Sequence, residues 1–194
     1  DLKLLLDKYE EEKNIPSLNI IRAQILIDLK QPEEAIAKLE PVIHANSELA
    51  DFAKFQKVRA FQNMGEMGPA LELFKQVEKD VEVNNQYLEV LIDFAYAAPD
   101  LQDQKYYTRK LLKMDKWPED ELRYKARMYE NLALIELQQD NPEEARKILD
   151  NGISEFDDDD MTRSMEGTRK LINLIGQKAP SLSAETWLNY GPLK

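Results

Sequence analysis

The stretch Leu29-Lys30-Gln31-Pro32-Glu33-Glu34-Ala35 decides the fold, because a close copy of it, Gln139-Asp140-Asn141-Pro142-Glu143-Glu144-Ala145, follows 110 positions later. A looser copy, Gly65-Glu66-Met67-Gly68-Pro69-Ala70, lies between them. The two close copies read as a helix start, with a proline in the first turn and acids at the positive end of the helix dipole. A chain that repeats this phrase is predicted to be a repeat protein, whose helical units bury their apolar faces by stacking.

The alanines that close the three copies, Ala35, Ala70 and Ala145, set the period of the repeat. Tyr107 falls where a degraded fourth copy is expected, which makes the steps 35, 37 and 38 residues. Four residues after these markers lie the large apolar residues Leu39, Phe74, Leu111 and Leu149. Twelve residues before them lie Ala23, Val58, Ala95 and Ala133. Small residues allow two helices to cross closely, and the large residue one turn later fills the adjacent groove.

This pattern resembles the tetratricopeptide repeat (TPR), a helix-turn-helix unit of roughly 34 residues. The best match is Tyr129, Leu132 and Ala133 in the first helix of one repeat, followed by Ala145 in its second helix. Gly65 matches the turn glycine of the family, and the other copies carry Lys30, Gln102 and Asp140 there. The resemblance covers residues 17–157 and implies a right-handed α-solenoid of about four repeats. Because the motif is degenerate, other α-solenoid families are compatible with it.

We therefore predict an all-α fold of about ten helices, arranged as antiparallel pairs in a single domain. The expected segments are a packing helix or half repeat at 1–16, repeats at 17–47, 48–83, 84–118 and 119–157, and a fifth partial repeat or capping helices at 158–194. The helix expected at residues 2–13 has no helix before it and no initiator Met. We expect the chain either to be cut from a longer solenoid or to begin with an unpaired packing helix.

The charge of the chain is strongly acidic, with a formal net charge of −11 that disfavours binding to nucleic acid and to anionic lipid. Residues 105–127 are an exception, because basic residues outnumber acids there and aromatic residues lie between them. Two interpretations fit this stretch. We favour a solvated helix face with its tyrosines in the core. The alternative is a basic-aromatic patch that receives an acidic peptide or a polyanionic ligand, and its members are Lys105, Arg109, Lys113, Arg123 and Arg127.

Residues for catalysis or metal binding are sparse. The chain has no cysteine, and its one histidine, His44, has no partner in a zinc-binding motif. The acidic run Asp157-Asp158-Asp159-Asp160 lacks the alternating ligands, turn glycine and distal glutamate of a calcium loop. No glycine-rich phosphate loop is present. We expect no enzymatic activity, no cofactor and no metal site.

In TPR proteins the first helix of each repeat lines the concave face, so the resemblance implies a partner-binding groove. Its residues are Gln24, Phe55, Arg59, Gln62, Ile92, Tyr96, Glu130 and Leu134. Some TPR proteins bind the C-terminal carboxylate of a chaperone with several Lys, Arg and Asn side chains in the groove. Only Arg59 is of this type here, so the groove is a poor fit for a chaperone tail. A mixed polar and apolar groove suits an extended or helical segment with hydrophobic anchors. The alternative is that Phe55, Ile92 and Tyr96 pack between repeats.

These features predict a non-catalytic scaffold or adaptor that binds a protein or peptide partner, as part of a larger bacterial protein or assembly. Two alternatives stay open: a structural spacer or self-association module, and an accessory domain of a larger enzyme or export machine. The sequence shows no targeting peptide or membrane span. A cysteine-free chain fits both the cytoplasm and the bacterial periplasm or envelope, so the compartment stays open.

Overall fold

The computed structural model describes residues 15–45, 48–115, 117–118, 121–156, 159–175 and 177. These residues form nine α-helices and no β-strand, which confirms the predicted all-α class. The helices are α1 (Pro16–Asp28), α2 (Pro32–His44), α3 (Ala50–Met64), α4 (Met67–Val77), α5 (Asn85–Ala97), α6 (Leu101–Leu112), α7 (Leu122–Gln138), α8 (Pro142–Glu155) and α9 (Asp159–Asn173). The helix expected at residues 2–13 lies outside the described residues, and so does the part of the expected segment 158–194 that follows residue 177.

Neighbouring helices pack in antiparallel-type pairs along the chain, as α1 with α2, α3 with α4, α5 with α6 and α7 with α8. Each odd-numbered helix also contacts the next odd-numbered helix, from α1 through to α9. Within the described residues, no Cα atom of an even-numbered helix comes within 8 Å of another even-numbered helix, and α4 and α6 meet only through their side chains. The odd-numbered helices therefore lie closer together than the even-numbered ones. We call the outward side of α1, α3, α5, α7 and α9 the odd-helix face.

The repeat phase predicted from the sequence agrees with the burial of its marker residues. All twelve markers are at most 1% exposed: Ala23, Ala35, Leu39, Val58, Ala70, Phe74, Ala95, Tyr107, Leu111, Ala133, Ala145 and Leu149. Tyr107 stands where the other copies carry alanine, and it is buried like them. Tyr107 therefore occupies the same buried position in its repeat as the alanines do in the other three.

The core consists of three clusters, one near each end and one in the centre. The central cluster is built around the ring of Phe74, whose centroid lies 6.4 Å from that of Phe55, 5.9 Å from Tyr87, 5.3 Å from Phe94 and 6.0 Å from Tyr107. These tilted rings come from four helices, α3 to α6. Aromatic pairs at such distances contribute favourable free energy beyond the burial of their area. These ring contacts therefore stabilise the packing of α3 to α6 at the centre of the chain.

Three helix-to-helix turns have the same backbone geometry. Lys30, Gly65 and Asp140 follow the first helix of their repeats at positive φ, with values of 60°, 77° and 60°. In each turn the N–H of the next residue donates to the carbonyl oxygen five residues earlier, at 2.8, 2.9 and 2.9 Å. This bond satisfies one of the free carbonyls at the helix end and reverses the chain. The same closure therefore recurs at three of the repeat's turns, with glycine at only one of them.

The turn of the third repeat differs, and the predicted equivalence of Gln102 with Gly65 is wrong. Gln102 lies in the first turn of α6, and α5 ends instead at Ala98, which has φ −56° and ψ 144°. Pro99 follows directly, and the residue before a proline is restricted to extended conformations. The proline thus ends α5 early and replaces the left-handed turn residue.

Replacing Gly65 by alanine is expected to lower the free energy of unfolding by about 1 kcal/mol, because only glycine adopts positive φ without a penalty. An added Cβ would meet no atom within 4 Å, so the penalty comes from the backbone alone. Gly68→Ala is the matched control: it lies in α4, its Cβ would meet only Pro99 Cγ at 4.0 Å, and it should raise the free energy of unfolding by roughly 0.5–1 kcal/mol. Urea unfolding followed by circular dichroism measures both, and shifts of the same sign would contradict the assignment.

Candidate partner-binding site

The eight predicted groove residues all lie on odd-numbered helices. Tyr96 and Leu134 are well exposed, at 44% and 47% of their surface. Half-buried positions are Gln24, Arg59, Gln62, Ile92 and Glu130. Seven of the eight therefore reach the surface, and the odd-helix face contains both aromatic or apolar and charged groups.

Phe55 is the exception, and its predicted place in the groove is wrong. Its side chain is fully buried, and its ring packs against Phe74 in the central cluster. The aromatic residue of α3 that does reach the surface is Phe52, which is 39% exposed. Phe52 and Arg59 are seven residues apart, so they lie on the same side of the helix. Phe55 is four residues from Arg59, so helical spacing alone does not separate the two phenylalanines, and only their exposure in the structure does.

Two further groove residues also have structural contacts. The side-chain amide of Gln62 donates to the backbone carbonyl of Val90 at 3.1 Å, which links α3 to α5. Ile92 packs partly against the central cluster. The sequence left open that Phe55, Ile92 and Tyr96 pack between helices instead of facing a ligand. Phe55 does so fully and Ile92 in part, whereas the side chain of Tyr96 is accessible to a ligand.

The first half of the odd-helix face is a polar cleft between α1, α3 and α5. Its volume is about 640 Å³, and it is lined by Ile27, Asp28, Lys30, Arg59, Gln62, Asn63, Glu89 and Asp93. Lys30 Nζ donates to Asn63 Oδ1 at 2.7 Å, and Arg59 Nη2 lies 3.7 Å from Glu89 Oε2. These contacts join neighbouring odd-numbered helices and leave three acids facing two cations.

The carboxyl group of Asp93 lies in this cleft together with Glu89, Lys30 and Arg59. Burial raises the pKa of its carboxyl, and the nearby carboxylate of Glu89 raises it further. Lys30 and Arg59 act in the opposite direction. A cationic group from a partner would favour the charged form of Asp93 and so would be favoured at this position.

The second half of the face is a smaller cleft between α7 and α9. Its volume is about 350 Å³, and it is lined by Arg123, Ala126, Arg127, Glu130, Asp160, Met161 and Ser164. The guanidinium of Arg127 lies over the ring of Tyr124, with Cζ 5.8 Å from the ring centroid. Thr168 on α9 lies 3.5 Å from Glu130 on α7. The lining of the cleft is therefore mainly polar and charged, and Ala126 and Met161 are its apolar residues.

Tyr96 connects this cleft to α5. Burial raises the pKa of its hydroxyl; the positive charge of Arg127 opposes that rise, and Glu130 and Tyr124 add to it. These effects couple Tyr96 on α5 electrostatically to Tyr124, Arg127 and Glu130 on α7. Tyr124, Arg127, Glu130 and Leu134 follow one another three or four residues apart and so lie along one side of α7. We call Tyr96 and these four residues the tyrosine-arginine surface.

The structure does not bring the five residues of the basic-aromatic patch together. Lys105, Arg109 and Lys113 lie on the outer side of α6, in a depression of about 570 Å³ whose described lining also includes Gln102, Tyr106 and Lys110. Arg123 and Arg127 belong instead to the cleft between α7 and α9. The five residues therefore line two separate depressions, one on α6 and one between α7 and α9.

Two of the basic residues on α6 are also used inside the molecule. Glu136 of α7 has only 2% of its side chain exposed, and its Oε1 lies 2.8 Å from Lys105 Nζ and 3.0 Å from Arg109 Nη2. Buried carboxylates need such partners, since an unpaired charge in the interior is costly. The basic charge of α6 thus holds α6 to α7, and less of it faces solvent than the sequence suggests.

Glu136→Gln is expected to lower the free energy of unfolding by about 2 kcal/mol, because the amide keeps an acceptor oxygen but removes the negative charge that Lys105 and Arg109 share. Glu89→Gln is the matched control: it also removes an ion pair between helices, but its side chain is 64% exposed and should contribute no more than about 0.5 kcal/mol. Thermal unfolding at neutral pH compares the two variants. Equal effects would mean that the Glu136 network does not hold α6 to α7.

Other functional chemistry is limited in the described residues. Their His, Asp and Glu side chains form no group of three that could hold a metal ion. His44 is exposed, and its Nε2 lies 3.4 Å from Glu40 Oε2, one helical turn away. The acidic run at 157–160 lies partly outside the described residues. None of the described helices is both long and apolar enough to cross a lipid bilayer.

Comparison of the chain with protein-family models, with curated proteins and with solved structures finds no match. The functional interpretation therefore depends on the geometry and chemistry of the odd-helix face.

Proposed function

We propose that this chain is a TPR-like, right-handed α-solenoid that binds a segment of a partner protein on the odd-helix face and performs no chemistry of its own. The helix packing supports this proposal: when the backbones of the odd-numbered helices approach one another more closely than those of the even-numbered helices, the odd-numbered side of a helical array has the smaller radius. That side would be the concave face. The recurring turn at Lys30, Gly65 and Asp140 supports a stack of similar units.

The observation that carries the proposal is the tyrosine-arginine surface. Tyr96 and Leu134 expose apolar area in the middle of the face, and Arg127 and Glu130 lie beside them. Tyrosine and arginine are enriched among the residues that dominate binding energies, and they act best near the centre of an interface. A partner segment with an apolar anchor and flanking charges of both signs fits this arrangement.

The polar cleft between α1, α3 and α5 extends the same face. Asp28, Glu89 and Asp93 supply acids there, and Lys30 and Arg59 supply cations. Such a surface adds orientation and specificity, since charged groups at a rim contribute little affinity. We propose that an extended or helical segment crosses the odd-numbered helices, with its anchor at the tyrosine-arginine surface.

The test is a double variant, Tyr96→Ala with Leu134→Ala, used as bait beside the unchanged chain in a lysate of the native organism, with quantitative mass spectrometry. Each truncation should cost roughly 1–2 kcal/mol of binding, so the partner's affinity should fall by about 30-fold or more. Tyr106→Ala is the matched control, because Tyr106 is a tyrosine on α6 that is at least as exposed as Tyr96, at 55% against 44%. Partners retained by the double variant and lost with the control would contradict the proposal.

A second candidate function, self-association, is favoured by one observation. Leu171, Leu174 and Ile175 expose large apolar side chains at the end of α9. Contiguous apolar area of this kind marks interaction sites. If copies of the chain associate there, sedimentation velocity should show a dimer that Leu171→Lys converts to monomer. Val83→Lys, an exposed apolar residue between α4 and α5, should leave the dimer intact; a monomer at all concentrations would rule this candidate out.

A further inference from the structure

Arg22 of α1 is a buried cation with unsatisfied hydrogen-bond donors. The residue is only 6% exposed, and its Nε and Nη2 atoms have no hydrogen-bond partner. Its Nη1 atom lies 3.5 Å from Oδ1 of Asn19, which is itself buried. Among the described residues, no other buried side-chain nitrogen or oxygen lacks a partner. Arg22 therefore departs from the rule that the rest of the described chain follows.

A guanidinium cannot remove this problem by losing its proton, because arginine stays charged in proteins. A buried charge without a partner is among the most unfavourable features a fold can have. The described ion pairs of the chain involve other cations, and none supplies an acid to Arg22. An acceptor of hydrogen bonds, preferably an anion, must therefore meet this side chain.

The identity of the unsatisfied atoms indicates which anion fits. Nε and Nη2 form one edge of the planar guanidinium, and their N–H bonds point in the same direction. This edge matches the two oxygens of a carboxylate, which it binds through two parallel hydrogen bonds. Nη1, on the other edge, is oriented by Asn19. The orphaned atoms are thus the ones that a bidentate carboxylate would use.

The start of α1 contributes weakly to the positive potential of this region. Ile15 provides no capping side chain, and the first turn contains no acid. Long side chains on a helix lean towards its N-terminus, which brings the Arg22 guanidinium beside Asn19, one turn nearer that end. The partial positive charge of the helix start favours anions only within the first turn, so it adds little at Arg22, and the guanidinium itself supplies the charge that attracts an anion.

We propose that the side of α1 formed by Asn19 and Arg22 is a carboxylate-binding site. Gln24 is two residues further along and so lies on nearly the opposite side of the helix. The site is thus distinct from the odd-helix face and does not depend on the proposed function. The carboxylate has two sources: an acid of this chain before residue 15, or a carboxylate that comes from outside the chain. The acids before residue 15 are Asp1, Asp7, Glu10, Glu11 and Glu12.

The experiment measures the melting temperature of the full chain in sodium chloride and in sodium acetate, at equal ionic strength and neutral pH. Four proteins are compared: the unchanged chain, Arg22→Met, a variant with the five acids before residue 15 changed to their amides, and Arg123→Met. Arg123 is an exposed arginine of α7, so its variant measures the effect of removing a positive charge alone.

If the chain supplies the carboxylate, Arg22→Met and the amide variant should each melt about 6 °C or more below the unchanged chain. Acetate should then restore part of the amide variant's stability and none of the Arg22→Met variant's. If the carboxylate comes from outside, acetate should raise the melting temperature of the unchanged chain in a saturable way, and Arg22→Met should lose that response.

The proposal is overturned if the amide variant melts like the unchanged chain and acetate stabilises neither of them relative to chloride. Should Arg22→Met fail to fold, this comparison of the other two proteins in the two salts still decides the question. A stabilisation by acetate that Arg123→Met loses as well would also overturn it, because the effect would then not belong to Arg22.

Discussion

The close crossing of neighbouring helices at small side chains is the constraint on which the rest of the structure depends. Ala35, Ala70 and Ala145 are completely buried, and they allow the second helix of a repeat to approach the first without intervening side chains. The large residue one turn later then fills the groove beside each crossing. Because the crossings recur at a nearly constant interval, successive odd-numbered helices come into contact and share one face. The candidate site is a product of this spacing.

Most of the fold follows from the periodicity of the sequence, because packing depends on residues that recur at helical spacing. All twelve marker residues are buried, including Tyr107, whose type had diverged. The exact rotation of a helix is harder to predict, since one position changes the direction of a side chain by 100°. Phe55 shows the consequence: it satisfies the spacing of a groove residue but lies in the core, and Phe52 takes its place at the surface.

Charges were also difficult to assign from sequence, because their partners lie on other helices. Lys105 and Arg109 lie in a basic run of the sequence, but they meet Glu136 of the next helix. Lys75 with Asp103 at 2.9 Å and Lys110 with Glu78 at 2.5 Å likewise join α4 to α6. Local charge density in the sequence therefore overstates the charge offered to a partner. For Arg22 the local sequence misleads in the opposite direction. Nothing around it in the sequence indicates that its side chain is buried and that two of its nitrogen atoms have no hydrogen-bond partner.

The contact pattern has a consequence for how the molecule loses its structure. Each described helix touches only helices one or two places away in the chain, so α1 and α9 share no contact. Opening one end therefore leaves the contacts of the other end in place, and the two terminal core clusters can unfold while the aromatic centre persists. Backbone amides near Phe74 should exchange with solvent only in global unfolding, whereas those of α1 and α9 exchange through local opening. Local unfolding of the described helices would therefore begin at the two ends of the array.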